Sequence, residues 1–164
     1  MWTYKRPSGP FLTPNEKKQV SALFEAILPG SSTNPGATDA GAADYLELLL
    51  AMDESEYYEI PKWKLLYRDG LDMLSKQSFA KYGRPVDELK SDELTNLLAA
   101  LSDGALQGFP NADWQKNFFS IVRGHCIEGC FSDPRWGGNH KGVIWAWYGY
   151  PNGPSRPWKP KTEA

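Results

Sequence analysis

Apolar residues recur at helical spacing through the central part of the chain, from about residue 13 to residue 130. The first predicted helix opens with Thr13-Pro14-Asn15-Glu16, which combines a capping box with proline at the first helical position. Pro29-Gly30 then ends this helix. Its predicted inner face consists of Val20, Leu23, Phe24, Ile27 and Leu28.

Four more helices are predicted from the same spacing. The second begins near residue 38 or 39 and ends near Met52, and the third spans about residues 61–82, with Gly83 placed for a left-handed cap. Ser91 is predicted to cap the fourth, and the fifth spans residues 112–125 or beyond. The predicted inner faces are listed here in order from the second helix to the fifth: Ala43, Leu46, Leu49 and Leu50; Trp63, Leu66, Gly70, Met73 and Leu74; Leu94, Leu97, Leu98 and Leu101; and Trp114, Phe118, Phe119 and Val122. The pattern therefore predicts an all-α fold, a compact bundle of about five helices.

The two ends of the chain lack this periodicity. Residues 1–12 contain Pro7, Gly9 and Pro10 and are predicted to form an extended arm. Residues 131–164 are rich in aromatic residues, glycine and proline, and the prolines exclude a central strand. The predicted organisation is an extended arm at 1–12, a helical body at 13–130, and an extended, aromatic, partner-wrapping tail at 131–164.

Composition and charge narrow the class of protein. The chain has 164 residues, 41% hydrophobic and 23% charged, as is typical of one globular domain. Its net charge of −2 argues against a general nucleic-acid binder. No apolar run approaches the roughly 20 residues of a membrane-spanning helix, so no such segment is predicted. No secretory signal follows Met1, so we expect a periplasmic location if an export signal was removed upstream and a cytoplasmic one otherwise.

The residues that could carry chemistry form no strong motif. Cys126 and Cys130 lie beside His125 and upstream of His140, and packed buried thiols are favoured over a disulfide, with a metal site third. Either histidine could be a base, but no serine or cysteine lies in a nucleophile-elbow context such as G-x-S-x-G. Glycine-rich phosphate loops and an EF-hand pattern are missing from the sequence. We therefore predict no catalytic, cofactor-binding or metal-binding residue in this chain.

The aromatic residues of the tail allow three interpretations. They could stack on sugars or unpaired bases, wrap the protein's own core, or form an interface with a larger subunit. The interface is favoured because aromatic residues and arginine are enriched in interface cores. A proline-rich segment also loses little conformational entropy when it wraps a partner.

Four stretches of the chain resemble one known family, the gluconate 2-dehydrogenase subunit 3 family. They are Phe11-Leu12-Thr13-Pro14-Asn15-Glu16 with Ile27-Leu28-Pro29; Pro35-Gly36-Ala37-Thr38-Asp39-Ala40-Gly41; Tyr67-Arg68-Asp69-Gly70-Leu71 with Phe79-Ala80-Lys81-Tyr82-Gly83-Arg84-Pro85; and Glu128 to Asn139 with Trp145 and Gly149-Tyr150-Pro151. The segment Asp133-Pro134-Arg135-Trp136-Gly137-Gly138-Asn139, followed by Trp145 and Gly149-Tyr150-Pro151, is the most specific. The resemblance covers nearly the whole chain, from about residue 11 to residue 154.

This resemblance implies a non-catalytic small subunit. Its partner in the family is a large glucose-methanol-choline-type flavoprotein, which binds FAD and oxidises a sugar or sugar acid, and a cytochrome c subunit often accepts the electrons. The small subunit is required for assembly of the large one and commonly carries a twin-arginine export signal, from which Lys5-Arg6 departs. The alternative is a free-standing carbohydrate-binding module that uses exposed tryptophans. The predicted partner-binding residues are Asp133, Pro134, Trp136, Gly137, Gly138, Asn139, Trp145, Trp147, Tyr148, Tyr150 and Trp158.

Overall fold

The computed structural model of the protein describes residues 9–150, and these residues contain α-helices and short 3-10 turns but no strand. The α-helices are α1 (Pro14–Ile27), α2 (Ala37–Ala40), α3 (Ala42–Ala51), α4 (Ile60–Tyr82), α5 (Ser91–Asp103), α6 (Ala112–Phe131) and α7 (Val143–Tyr148). The 3-10 turns are Val86–Glu88, Pro134–Trp136 and His140–Gly142. The predicted all-α class is confirmed.

Local signals in the sequence fix several of the helix ends. The Thr13 hydroxyl accepts the Glu16 backbone N–H, and the Glu16 carboxylate accepts the Thr13 N–H at 2.7 Å, so the predicted capping box is present. Gly83 ends α4 with a φ of 69°, the left-handed cap that the sequence predicts. The prediction for Ser91 was wrong by one residue, because Ser91 is the first residue of α5 and Lys90 precedes it at the cap position.

The second predicted helix is divided in two. Gly41 adopts a φ of 63° between α2 and α3, and this left-handed residue turns the chain sharply. The turn leaves no space for a side chain, because a Cβ on Gly41 would lie 2.0 Å from the His140 ring. The break therefore lets a residue from far along the chain pack against the α2–α3 junction.

Helix α6 is the centre of the bundle and packs on α3, α5, α1, α2 and α4. Phe118 of α6 lies against Gly70 of α4 so closely that a Cβ on Gly70 would come within 2.2 Å of the Phe118 ring. Gly129 of α6 faces α3 in the same way, because a Cβ on Gly129 would lie 2.9 Å from the Cα of Ala42. Most predicted inner-face residues are buried, and the half-buried ones are Ile27, Leu28, Leu49, Trp63, Met73, Trp114 and Phe119.

Residues 131–150 differ from the extended tail that the sequence predicts. They form two 3-10 turns and α7, and this segment returns to the body of the protein, where α7 contacts α2 and α6. Left-handed residues separate the short turns and hide any helical period in the sequence; they are Gly137, Asn139, Lys141, Gly142 and Gly149. None of the helices within residues 9–150 is long and apolar enough to cross a membrane.

Candidate functional site

His125 lies inside α6, in the core, and only 3% of its surface is exposed. Its Nδ1 is 3.0 Å from the Tyr67 hydroxyl of α4, and its ring meets the edge of the Trp63 ring at 4.6 Å between centroids. Burial lowers the pKa of His125 to about 4, so the imidazole is neutral at pH 7. These contacts fit a core hydrogen bond between two helices. The sequence predicts neither this burial nor this partner.

The two cysteines are free thiols and both are buried. The Cys126 thiol lies 3.5 Å from the Phe24 carbonyl oxygen, to which it can donate a weak hydrogen bond. A hydrogen bond with Cys130, together with burial, raises the pKa of Cys126 far above its ordinary value. The interpretation as packed thiols thus fits the structure, and a thiol of this kind is a poor nucleophile.

His140 lies apart from His125 and the cysteines, on the α2–α3 junction. Its Nε2 is 3.2 Å from an Asp44 carboxylate oxygen and 3.0 Å from the Gly137 carbonyl oxygen. Lys17 of α1 binds the other oxygen of Asp44 at 2.6 Å. Within residues 9–150, no three His, Cys, Asp or Glu side chains are arranged to hold a metal ion. His140 therefore helps to attach the C-terminal segment to α3.

The segment Asp133–Asn139 forms a compact turn on the end of α6. Asp133 accepts a hydrogen bond from the Arg135 backbone N–H at 3.0 Å and another from the Arg135 guanidinium at 2.8 Å, a geometry typical of aspartate at the start of a turn. Gly137 lies against α3, because a Cβ there would come within 2.3 Å of Leu48. The turn is thus shaped by Asp133 at its start and by close backbone approach at its end.

Asn139 and Gly138 hold this turn from inside the protein. The Asn139 N–H donates to the Gly129 carbonyl at 2.8 Å, its Nδ2 donates to the Ser132 carbonyl at 3.0 Å, and its Oδ1 accepts the Ile144 N–H at 2.9 Å. A Cβ on Gly138 would lie 2.1 Å from the Gly129 oxygen. Both residues are buried. Among the predicted partner-binding residues, these two contact the chain's own backbone.

Other predicted partner-binding residues are on the surface. Trp136 is 44% exposed, Trp147 46%, Tyr148 74% and Tyr150 47%. The Trp147 indole donates to the Thr33 carbonyl at 3.0 Å, which fixes the ring while one side stays in water. Pro134 is half-buried. Trp158 lies outside the described residues.

Trp145 is half-buried and links the turn to α7. Its indole donates to the Phe131 carbonyl at 2.8 Å, and its ring lies 5.2 Å from the Tyr150 ring. α7 is six residues long and would not be stable as an isolated helix. The hydrogen bonds of Trp145 and Trp147 therefore hold α7 against the rest of the protein.

The sequence did not lead us to predict a second group of exposed apolar residues. Tyr57 and Tyr58 precede α4 with 44% and 78% exposure, and Ile127 and Phe131 lie one turn apart on the outer side of α6 with 47% and 44%. The adjacent tyrosines in an acidic loop were the available signal, but Ile127 and Phe131 fit the inner periodicity of a helix nearly as well. The exposed apolar surface therefore extends beyond the C-terminal segment to the loop before α4 and to α6.

The fold and these contacts define a class: a small all-α protein whose His125 and cysteines serve internal packing, and which carries exposed aromatic residues on its C-terminal segment. The family model described as gluconate 2-dehydrogenase subunit 3 matches residues 14–153. This match spans most of the chain, and the protein belongs to the gluconate 2-dehydrogenase subunit 3 family. A dehydrogenase subunit implies a catalytic partner. Comparisons with curated proteins and with solved structures found no match.

Proposed function

We propose that this chain is a non-catalytic small subunit that binds, stabilises and assists the maturation of a glucose-methanol-choline-type catalytic subunit. That catalytic subunit holds FAD and oxidises a sugar or glycoside, and a cytochrome c is a further candidate partner as electron acceptor. The small subunit contributes a binding surface and supplies no cofactor ligand.

The observation that carries this proposal is family membership combined with fixed, exposed aromatic side chains. Trp136, Trp147, Tyr148 and Tyr150 have large apolar surfaces and are among the residue types that dominate interface energetics. A stable interface buries about 800 Å² on each partner, and one aromatic side chain can contribute about 150–250 Å² of buried area. Four partly exposed rings could therefore provide a substantial part of such an interface.

The positions of the Trp147 ring and of Trp145, which supports the Tyr150 ring, are set before a partner arrives. The Trp147 indole donates a hydrogen bond to the loop after α1, and the Trp145 indole donates one to the end of α6. A surface that is already ordered loses less conformational entropy on binding. This arrangement favours a specific protein partner over transient apolar contacts.

The test is co-expression of this chain with the flavoprotein encoded beside it, followed by affinity purification on this chain. We expect a yellow complex that oxidises a sugar with an artificial acceptor. We also expect the flavoprotein to contain less FAD when it is made without this chain, since an assembly role acts on the large subunit.

Two variants distinguish a specific interface from nonspecific association of exposed apolar side chains. Trp147→Ser with Tyr148→Ser should weaken the complex at least about tenfold, the size expected for interface hot spots. Phe79→Ser is the matched control, because Phe79 is 54% exposed on α4; it should change affinity less than about threefold.

The carbohydrate-binding module is the second candidate, and exposed Trp136 and Trp147 are the observation that favours it. It predicts a soluble monomer whose tryptophan fluorescence shifts on addition of sugar. A colourless chain that elutes alone after co-expression, and responds to sugar in this way, would replace the subunit proposal.

A further inference from the structure

We propose that the catalytic subunit docks on a second surface, the α3–α6 face, and presents an arginine-bearing basic segment to it. The α3–α6 face consists of Tyr45, Tyr57, Tyr58, Ile127, Glu128, Phe131 and the cleft beside Trp136. This inference rests on the proposed function and identifies where and by what chemistry the partner binds.

The apolar part of this face is continuous with the C-terminal segment. Tyr57 and Tyr58 lie 4.8 Å apart between ring centroids, and Tyr57 lies 5.4 Å from Trp63. At the other side of the face, the Phe131 carbonyl accepts the Trp145 indole. The exposed residues of α6 thus adjoin the segment that carries the exposed rings of α7.

Glu128 of α6 forms a hydrogen bond with Tyr45, the single tyrosine of α3. The Tyr45 hydroxyl donates to Glu128 Oε2 at 2.8 Å. A hydrogen bond with Tyr58, followed by lesser contributions that include the negative charges of Glu59 and Glu128, raises the pKa of Tyr57. Glu128 is therefore an exposed carboxylate that is held beside the Tyr45 hydroxyl on this face.

A cleft of about 200 Å³ opens on this face between α3 and the Pro134–Trp136 turn. Tyr45, Leu49, Met52, Ser132 and Trp136 line it. The Ser132 hydroxyl is buried and has no hydrogen-bond partner within residues 9–150. This hydroxyl has almost no accessible surface, so the cleft presents a partner mainly with the side chains of Tyr45, Leu49, Met52 and Trp136.

The charge of the face is mainly acidic. Five acidic residues lie in the loop before α4, at its start and on α6; they are Asp53, Glu54, Glu56, Glu59 and Glu128. The two lysines of the same region are paired, Lys62 with Glu59 at 3.4 Å and Lys64 with Glu54 at 3.6 Å. Arg135, beside Trp136, is paired with Asp133. Arg123, one turn before Ile127, is exposed and lies over the Phe119 ring, so it is the basic residue on α6 beside this face.

Arginine is the side chain that fits this combination best. Its planar guanidinium stacks on aromatic rings, binds carboxylates in a bidentate manner and donates to a hydroxyl oxygen. The cleft offers the rings of Tyr45 and Trp136, and the Glu128 carboxylate accepts a hydrogen bond from the Tyr45 hydroxyl beside it. The partner segment is therefore basic, with apolar neighbours that cover Tyr57, Tyr58 and Phe131.

The experiment measures the affinity of the purified chain for the catalytic subunit at several salt concentrations. Tyr57→Ser with Tyr58→Ser should weaken binding about tenfold or more. Glu54→Lys with Glu56→Lys should weaken it at low salt and flatten the salt dependence, because the attraction is electrostatic. Phe79→Ser and Glu88→Lys are the matched controls, since the 23-residue α4 separates them from the loop by about 30 Å along the helix.

A cross-linking measurement identifies the partner segment directly. Tyr58→benzoylphenylalanine, irradiated in the complex, should attach to a peptide of the catalytic subunit that contains arginine. Attachment to a second copy of this chain, or to its own residues 151–164, would overturn the inference. Wild-type affinity in both double variants would overturn it as well, while leaving the proposed function intact. Failure of the wild-type chain itself to bind the flavoprotein would instead contradict the proposed function.

Discussion

At the scale of single residues, His125 shows how burial decides the chemistry of a side chain. The imidazole is hydrogen-bonded to Tyr67 and enclosed by Trp63, and its pKa is lowered to about 4 from an ordinary value of 6.5. The unfolded chain therefore binds a proton at a higher pH than the folded chain. The resulting stability is complete above about pH 6.5 and declines as the pH falls towards 4.

This linkage gives a measurable pH dependence. Between pH 7 and pH 5, His125 should account for a loss of about 2 kcal/mol in the free energy of unfolding. Urea unfolding at the two pH values measures the loss, and the difference between wild type and His125→Gln removes the contribution of the carboxylates. Equal pH dependence in the two proteins would show that His125 is protonated with equal ease in the folded and unfolded states.

Asn139 carries a second residue-scale prediction. Its side chain makes two buried hydrogen bonds, and its φ of 43° is rare for residues other than glycine, asparagine and aspartate. Asn139→Ala should lower the free energy of unfolding by about 3 kcal/mol, because it leaves the Ser132 carbonyl and the Ile144 N–H without these partners. Asn117→Ala, on the exposed side of α6, should change it by less than about 0.5 kcal/mol. Denaturation midpoints measure both effects, and similar midpoints for the two variants would contradict the role given to Asn139.

At the scale of elements, α6 connects the bundle to the C-terminal segment through glycine. Gly129 lets α3 approach, and Gly138 lies against the carbonyl oxygen of Gly129, so the backbones of three segments meet at one point. Trp145 adds a hydrogen bond to the last residue of α6. The position of α7 therefore depends on close backbone contact as well as on its own apolar side chains.

Two glycine substitutions test this contact. Gly138→Ala should lower the free energy of unfolding by about 1–3 kcal/mol, because its Cβ would lie 2.1 Å from the Gly129 oxygen. Gly124→Ala, within α6 and with no neighbouring atom within 4 Å of the added Cβ, should raise it by about 1 kcal/mol. Thermal unfolding of both variants gives the signs. A neutral or stabilising Gly138→Ala would mean that the turn moves freely away from α6.

The sequence predicts those elements whose signals are local. The capping box at Thr13, the glycine cap at Gly83 and the apolar stripe of α5 all act within a few residues and were predicted correctly. The break at Gly41 makes room for His140, which is about 100 residues away in the chain. The turns after α6 likewise depend on Gly129. Long-range contacts of this kind leave no periodic signal in a single sequence.

For the same reason, the sequence predicts the exposure of some of the candidate partner-binding residues but not the burial of others. Its aromatic composition is visible in the sequence, and this led to Trp136, Trp147 and Tyr148, which the structure exposes. Burial of Gly138 and Asn139 follows from packing on α6 and could not be read from the motif. Their side of the turn faces inward, whereas Trp136 faces outward.

At the scale of the whole molecule, the exposed apolar residues are unevenly distributed. They occur in the loop before α4, on α4 and α6, in the Pro134–Trp136 turn, and on and just after α7. Helix α5 has a buried stripe of four leucines and no large exposed apolar side chain. The α3–α6 face and α7 each carry several of these residues and are the proposed contact surfaces, whereas the outer side of α5 offers a partner no large apolar side chain.

Hydrogen exchange tests this arrangement in the intact complex. Docking excludes water and suppresses local opening, so amides in residues 53–59, 131–136 and 143–150 should exchange more slowly in the complex than in the free chain. Amides of α5 should exchange at the same rate in both, because no partner contact is expected there. Mass spectrometry of peptides from the two samples measures each region separately. Slowing in α7 alone would restrict the interface to the C-terminal segment, and slowing centred on α5 would contradict the assignment of both surfaces.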